Sequence, residues 1–137
     1  MSKSNNSTVL DLPLPARRHE TLGLVMIRRL AGHGLSDARA TMLALDAAGP
    51  RFRKLLLLTR TLVTELARSS RRKIYLAPCC AAGMTRDEGL IMSLIGGAGL
   101  DVSEALTDNT QPNTAIASAH ALGEELSEIA LARGWRR

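Results

Sequence analysis

The stretch RFRKLLLLTRTLVTELARS, residues 51–69, decides the fold class of this chain. Its apolar residues return every three or four positions, as they do along one face of an α-helix. Leu57 and Leu58 widen that face, so we expect a central helix that is covered on most of its circumference. The basic residues around the opposite face are Arg53, Arg60, Arg68 and Arg71.

Similar but shorter patterns lie on both sides of this segment. Glycines at 32–34, at 49 and at 96–99 separate them, and glycine supplies the left-handed conformation that ends many helices. Ser36 is a candidate N-cap for the second helix. The predicted helices are about 19–31, 36–48, 51–69, 86–95, 102–107 and 114–133. The prediction is an all-α fold, a single compact orthogonal bundle of five or six helices.

The composition agrees with one helical domain. The chain has 137 residues, of which 45% are hydrophobic and only 2% aromatic. Its core must therefore consist of aliphatic side chains and alanine, which favour close-packed helices. We expect a flexible arm at 1–17, the helical domain at 18–133 and a short tail at 134–137. No apolar run resembles a signal peptide or a membrane span, so we expect a cytoplasmic protein without a membrane partner.

Charge is distributed unevenly along the chain. Residues 51–73 contain eight bases and one acid, whereas residues 85–131 contain eight acids and one base. Opposite segments of this kind can neutralise each other within the chain or across a homodimer, without nucleic acid. Glu124 and Glu125, a pair of acids on the last helix, have the pattern of a solvated face.

The stretch IYLAPCCAAGMTRDE, residues 74–88, contains the most unusual feature, the adjacent Cys79 and Cys80. Its last part is a capping box, in which Thr85 and Glu88 satisfy each other's backbone amides at a helix start. Residues 74–76 favour an extended segment that crosses the helices.

A disulfide within the cysteine pair is disfavoured, because neighbouring Cα atoms lie ~3.8 Å apart and disulfides need ~4.4–6.8 Å. Nearby bases favour a thiolate, whereas a metal would need more ligands, and His33, Met84 and His120 are the other soft or imidazole candidates. We interpret the pair as buried, inert thiols at a turn, with a metal or redox site at Cys79, Cys80 and His33 as the alternative.

The segments IRRLAGHGLSDARA and APCC, followed by MT and an acidic helix start, resemble a small family of uncharacterised bacterial proteins. The resemblance spans about residues 19–131. It implies a short helical protein with a Pro-Cys-Cys motif and no assigned activity, and it transfers no catalytic residues.

These patterns lead to a non-enzymatic prediction. We expect a protein-interaction or regulatory module, homodimeric through its basic segment (51–73) and acidic segment (85–131), with no catalytic residues and no cofactor. A thiol- or metal-based sensor is the first alternative. Nucleic-acid binding through the basic third helix is the second, although aromatic side chains for base stacking are scarce. The candidate contacts for a partner or nucleic acid are Arg53, Arg60, Arg68, Arg71, Arg72 and Lys73.

Overall fold

The computed structural model describes residues 9–70, 72–107 and 112–135. Within these residues the chain forms six α-helices, a 3₁₀ turn at Gly49–Arg51 and two short strands. The strands are β1 (Leu12–Pro13) and β2 (Gly83–Met84). The helices are α1 (Arg18–His33), α2 (Ala38–Ala48), α3 (Phe52–Ser69), α4 (Arg86–Ile95), α5 (Leu100–Leu106) and α6 (Pro112–Arg133). The all-α prediction is confirmed, and every predicted helix is present.

Helix α3 lies at the centre of the bundle and packs against α1, α2 and most extensively α6. Leu55 and Leu62 are completely buried, and Leu58 packs against the core from a half-buried position. Leu57 was expected on the buried side as well, but 62% of it is exposed. The apolar face of α3 is therefore narrower than the LLLL run suggests.

Two helix starts show how the sequence defines the element boundaries. Thr85 and Glu88 form the predicted capping box before α4. The second helix, by contrast, begins one residue later than expected. Its N-cap is Asp37 rather than Ser36, and the Asp37 carboxylate accepts the Ala40 amide at 2.9 Å.

Strands β1 and β2 form an antiparallel pair that the sequence analysis did not anticipate. Leu12 pairs with Met84 and Pro13 with Gly83. Part of the predicted arm is thus attached to the segment that follows the two cysteines, whereas residues 1–8 lie outside the described residues. Ile74 and Leu76 pack against the core without joining a strand, which agrees with the expected crossing segment.

None of the helices described combines the length and apolarity that crossing a bilayer requires.

Candidate functional site

The segment that contains the cysteines is fixed at its base by a buried ion pair between α1 and α4. The Arg28 guanidinium donates two hydrogen bonds to the Glu88 carboxylate, at 2.8 and 2.9 Å. It also donates to the carbonyl oxygens of Gly83 at 2.7 Å and Ala81 at 3.3 Å. The two charged side chains are 1% and 0% exposed. One arginine therefore holds both the start of α4 and the backbone that follows the cysteines.

Glu88 connects the two ends of the same segment. Its carboxylate accepts the amide of Ala77 at 2.9 Å, two residues before Cys79, and the amide of Thr85 at 3.0 Å. Burial alone would raise the pKa of Glu88, but the hydrogen bonds from Arg28 and these two amides outweigh it, so the pKa lies below its ordinary value.

Asp87 and Thr85 hold the crossing segment in place. Arg72 donates a bidentate pair of hydrogen bonds to Asp87, at 2.9 and 2.7 Å, and the Tyr75 amide donates to the same carboxylate at 2.8 Å. The Thr85 hydroxyl donates to the Tyr75 carbonyl at 2.7 Å. Burial raises the pKa of Asp87, but Arg72 and the Tyr75 amide leave it lower than usual.

The second arginine of the Arg28-Arg29 pair reaches the cysteines themselves. Arg29 donates to Cys79 Sγ at 3.7 Å, and a fork of two hydrogen bonds joins it to Asp37 at 3.0 and 2.9 Å. Because Asp37 also caps α2, one carboxylate positions the arginine and starts the neighbouring helix. The hydrogen bond from Arg29 holds the pKa of Asp37 below its usual range.

The two sulfur atoms lie 3.8 Å apart at the surface of the protein. Cys80 is exposed and Cys79 is half-buried, so the interpretation of both as buried thiols is wrong. The reason is the tight turn, in which the Ala81 amide donates to the Pro78 carbonyl at 3.1 Å and leaves the cysteines at its outer edge. The hydrogen bond from Arg29 lowers the pKa of Cys79, and the contact with Cys80 lowers it further.

A surface hollow of about 410 Å³ adjoins Cys79. Its walls come from α1 and α2, and Arg29 and Arg39 supply positive charge on two sides. The apolar lining residues are Val25, Met42 and Leu43.

His33 and the other candidate ligands do not gather around the sulfur atoms. Among the residues described, no group of three or more His, Cys, Asp and Glu side chains is placed to hold a metal ion. His33 is exposed at the end of α1, Met84 is buried in the ribbon, and His120 Nε2 lies 3.0 Å from the Ala98 carbonyl oxygen. The cysteines alone thus offer two sulfur ligands.

The predicted basic contacts are divided among different tasks. Arg72 is bound to Asp87, Arg60 Nε donates to the Leu35 carbonyl at 2.7 Å, and Arg68 lies 3.4 Å from Glu65. Arg53 lies over the Phe52 ring and Lys73 over that of Tyr75. Arg71 lies outside the described residues. Binding of nucleic acid or a partner through these residues stays a prediction.

The basic and acidic segments contact each other within the chain. Arg51 donates to Glu125 at 2.7 and 2.8 Å, and Lys54 Nζ lies 3.5 Å from the same carboxylate. Arg72 and Asp87 form the second connection. The Glu125 side chain is only 2% exposed, so its assignment to a solvated face is wrong. A charge placed among aliphatic residues gives no sequence signal until its partner is known.

Arg28, Arg29 and Asp37 were not predicted as site residues, although they belong to the segments that carry the family resemblance. The structure brings RRLAGHGLSDA (28–38) and APCC (77–80) together through the Arg29–Cys79 contact. A family model matches residues 1–137, and its description is a family of unknown function, DUF6628. The chain belongs to this family. No curated protein and no solved structure matches the chain significantly.

Proposed function

We propose that this protein is a small, non-enzymatic regulatory module of a bacterial cell, and that Cys79 and Cys80 are its sensing element. The observation that carries the proposal is the hydrogen bond from Arg29 to Cys79 Sγ beside an exposed Cys80. It favours the thiol alternative over the inert pair. Because a sensing thiol must start reduced, the proposal includes a cytoplasmic location.

The reactivity of the pair follows from the charge next to it. A thiolate is the nucleophilic form of cysteine, and a neighbouring guanidinium stabilises it. Asp37 shares the charge of Arg29 and also fixes its orientation through two hydrogen bonds. The buried Arg28–Glu88 pair keeps the turn in place, so that Cys79 stays within reach of Arg29.

The same contacts give the thiol state a route to the rest of the molecule. Modification of Cys79 replaces the sulfur that Arg29 contacts, and Arg29 is bound to the residue that caps α2. Helix α2 carries two exposed apolar side chains, Met42 at 60% and Leu45 at 47%. We place the output of the sensor on this helix.

Alkylation kinetics test the proposal. We expect iodoacetamide to modify Cys79 in the native protein faster at pH 7 than a cysteine in an unfolded peptide, because Arg29 lowers the pKa of Cys79. Arg29→Gln should slow this reaction and move its pH midpoint upward. The readout is the alkylated fraction at Cys79 by peptide mass spectrometry.

Arg39→Gln is the matched control. Arg39 lines the same hollow, and no contact between it and the sulfur carries the argument. Its substitution should leave the pH midpoint of Cys79 close to that of the wild type. A native Cys79 that reacts only after denaturation, or equal midpoints in the wild type and Arg29→Gln, would sink the sensor proposal.

A second candidate is the protein-interaction module, as a homodimer or with another protein. Three exposed apolar side chains favour it, namely Met42, Leu57 and Leu131, each of which is 60% exposed or more. The internal Arg51–Glu125 and Arg72–Asp87 pairs, however, already use part of the charge complementarity between the two segments.

Sedimentation velocity at low and high salt tests the homodimer. Association through the opposite segments should weaken as salt screens the charges. Association that salt does not change would favour the apolar side chains instead, and a monomer at every concentration and salt level would remove the homodimer.

A further inference from the structure

We infer that Cys79 and Cys80 act as one bidentate chelate for a trivalent arsenical, a thiophilic centre that takes two thiolates and carries an organic substituent. The inference rests on the proposed function in one respect, that both thiols are accessible. It goes further by naming the class of ligand and by requiring that both sulfur atoms bind the same atom.

The geometry favours a bridged pair over a bonded one. The sulfur atoms are 3.8 Å apart on adjacent residues, whereas a disulfide requires ~2.05 Å between sulfurs and a Cα separation larger than neighbouring residues allow. A bridging atom with a bond angle well below 180° spans such a distance without a change in the backbone. For comparison, two sulfurs on one tetrahedral zinc, at ~2.3 Å each, lie ~3.8 Å apart. The pair is therefore preorganised for one shared atom.

The number of ligands selects among thiophilic centres. In the described part of the chain no third Cys, His, Asp or Glu joins the two cysteines in a metal-binding group. A structural zinc site needs four ligands, so this pair supplies half of one. A monosubstituted trivalent arsenic needs two thiolates, because its third bond is to its own carbon substituent.

The hollow beside Cys79 is suited to that substituent. It has a volume of about 410 Å³ and is lined in part by Val25, Met42 and Leu43. An aryl group on the arsenic would bury apolar surface there, which strengthens binding in proportion to the area removed from water. Arg29 assists by favouring the thiolate form of Cys79, which attacks first.

The reaction balances without an oxidant. With phenylarsine oxide, two S–As bonds form and two S–H bonds break. The As=O oxygen leaves as water with the two thiol protons, and arsenic remains trivalent. A disulfide, in contrast, would require an oxidant to accept two electrons.

Titration with phenylarsine oxide tests the chelate. We expect one arsenical per wild-type chain by native mass spectrometry, with the loss of both free thiols and release by a small dithiol. Cys79→Ser and Cys80→Ser should each weaken binding about 100-fold or more, because a second attachment within one molecule adds a large effective concentration. Arsenite and Zn²⁺, titrated in parallel, report the contribution of the substituent and of a harder ion.

Each outcome decides the chelate. Two arsenicals per chain, equal binding by the single-serine variants, or zinc bound more tightly than the arsenical would overturn it. Iodoacetamide alkylation of the same samples separates the two proposals. Fast alkylation of Cys79 without arsenical binding removes only the chelate, and slow alkylation without binding removes the sensor as well.

Discussion

Arg28 and Glu88 are the residues on which the geometry of the cysteine turn depends. Four hydrogen bonds leave the Arg28 guanidinium, and the Glu88 carboxylate accepts two backbone amides in addition. A buried ion pair is stable only where hydrogen bonds of this kind satisfy the remaining polar atoms. Removal of one partner leaves the other charge buried and without compensation.

Glu88→Gln should therefore destabilise the protein by about 3 kcal/mol or more, the usual effect of breaking a buried pair. The matched control is Glu65→Gln, the same substitution at the exposed Glu65–Arg68 pair, which should cost less than about 1 kcal/mol. Urea denaturation followed by circular dichroism measures both. Equal losses in the two variants would show that the buried pair has no special structural role.

Part of the site could be predicted at the scale of single residues. The capping box identified Thr85 and Glu88 as partners from their spacing alone, and the structure confirms it. The sequence did not indicate that Glu88 would also bind Arg28, because the two lie 60 residues apart and ion pairing leaves no periodic pattern. The exposure of Cys80 was missed for a related reason, since cysteine is usually buried.

At the scale of elements, the crossing of α4 and α6 depends on one glycine. A Cβ atom added at Gly123 would collide with the Ile95 carbonyl oxygen, and this atom belongs to the backbone, which cannot rotate away as a side chain can. The end of α4 therefore lies directly on α6. Gly32, near the end of α1, has no atom within 4 Å of an added Cβ.

This contrast predicts opposite effects of one substitution. Gly123→Ala should destabilise the protein by about 1–3 kcal/mol, because overpacking outweighs the gain in helix propensity. Gly32→Ala, the control in a helix with open space, should be neutral or stabilise by up to about 1 kcal/mol. The melting temperatures of the two variants give the comparison. A Gly123→Ala variant as stable as the wild type would contradict the close contact.

The helices were predictable because each has its own amphipathic period and its own glycine or capping boundary. The β1–β2 ribbon was not, since two residues per strand are too few for an alternating pattern. Its position depends on tertiary contact. An added Cβ at Gly83 would lie 2.9 Å from the Leu12 carbonyl oxygen, so glycine permits the close approach of the N-terminal segment. No local signal in residues 1–17 identifies that partner.

At the scale of the whole molecule, folding places the basic segment against the acidic one. Arg72 binds Asp87, and Arg51 and Lys54 bind Glu125. The imbalance along the sequence was therefore informative, but it could not distinguish pairing within the chain from pairing between two chains. The described contacts show that internal pairing takes up at least part of these charges.

Acid should unfold the protein through these carboxylates. The hydrogen bond from Arg51 lowers the pKa of Glu125, and basic partners likewise leave those of Asp87 and Glu88 below their ordinary values. A carboxyl group whose pKa is lower in the folded state contributes its full stability above its unfolded pKa of ~4 and loses it as the pH falls through the folded value. The melting temperature should therefore vary little between pH 8 and about 5 and fall below about 4.

Glu125→Gln tests the cause of this acid transition, because a glutamine cannot titrate there. The variant should be less stable than the wild type at pH 7, since Arg51 and Lys54 lose their partner. Its difference from the wild type should shrink as the pH drops, because protonation removes the same charge from Glu125 in the wild type. Calorimetric melting of both proteins from pH 7 to pH 3 measures that difference. A gap that stays constant or widens toward low pH would mean that ionisation of Glu125 does not stabilise the fold.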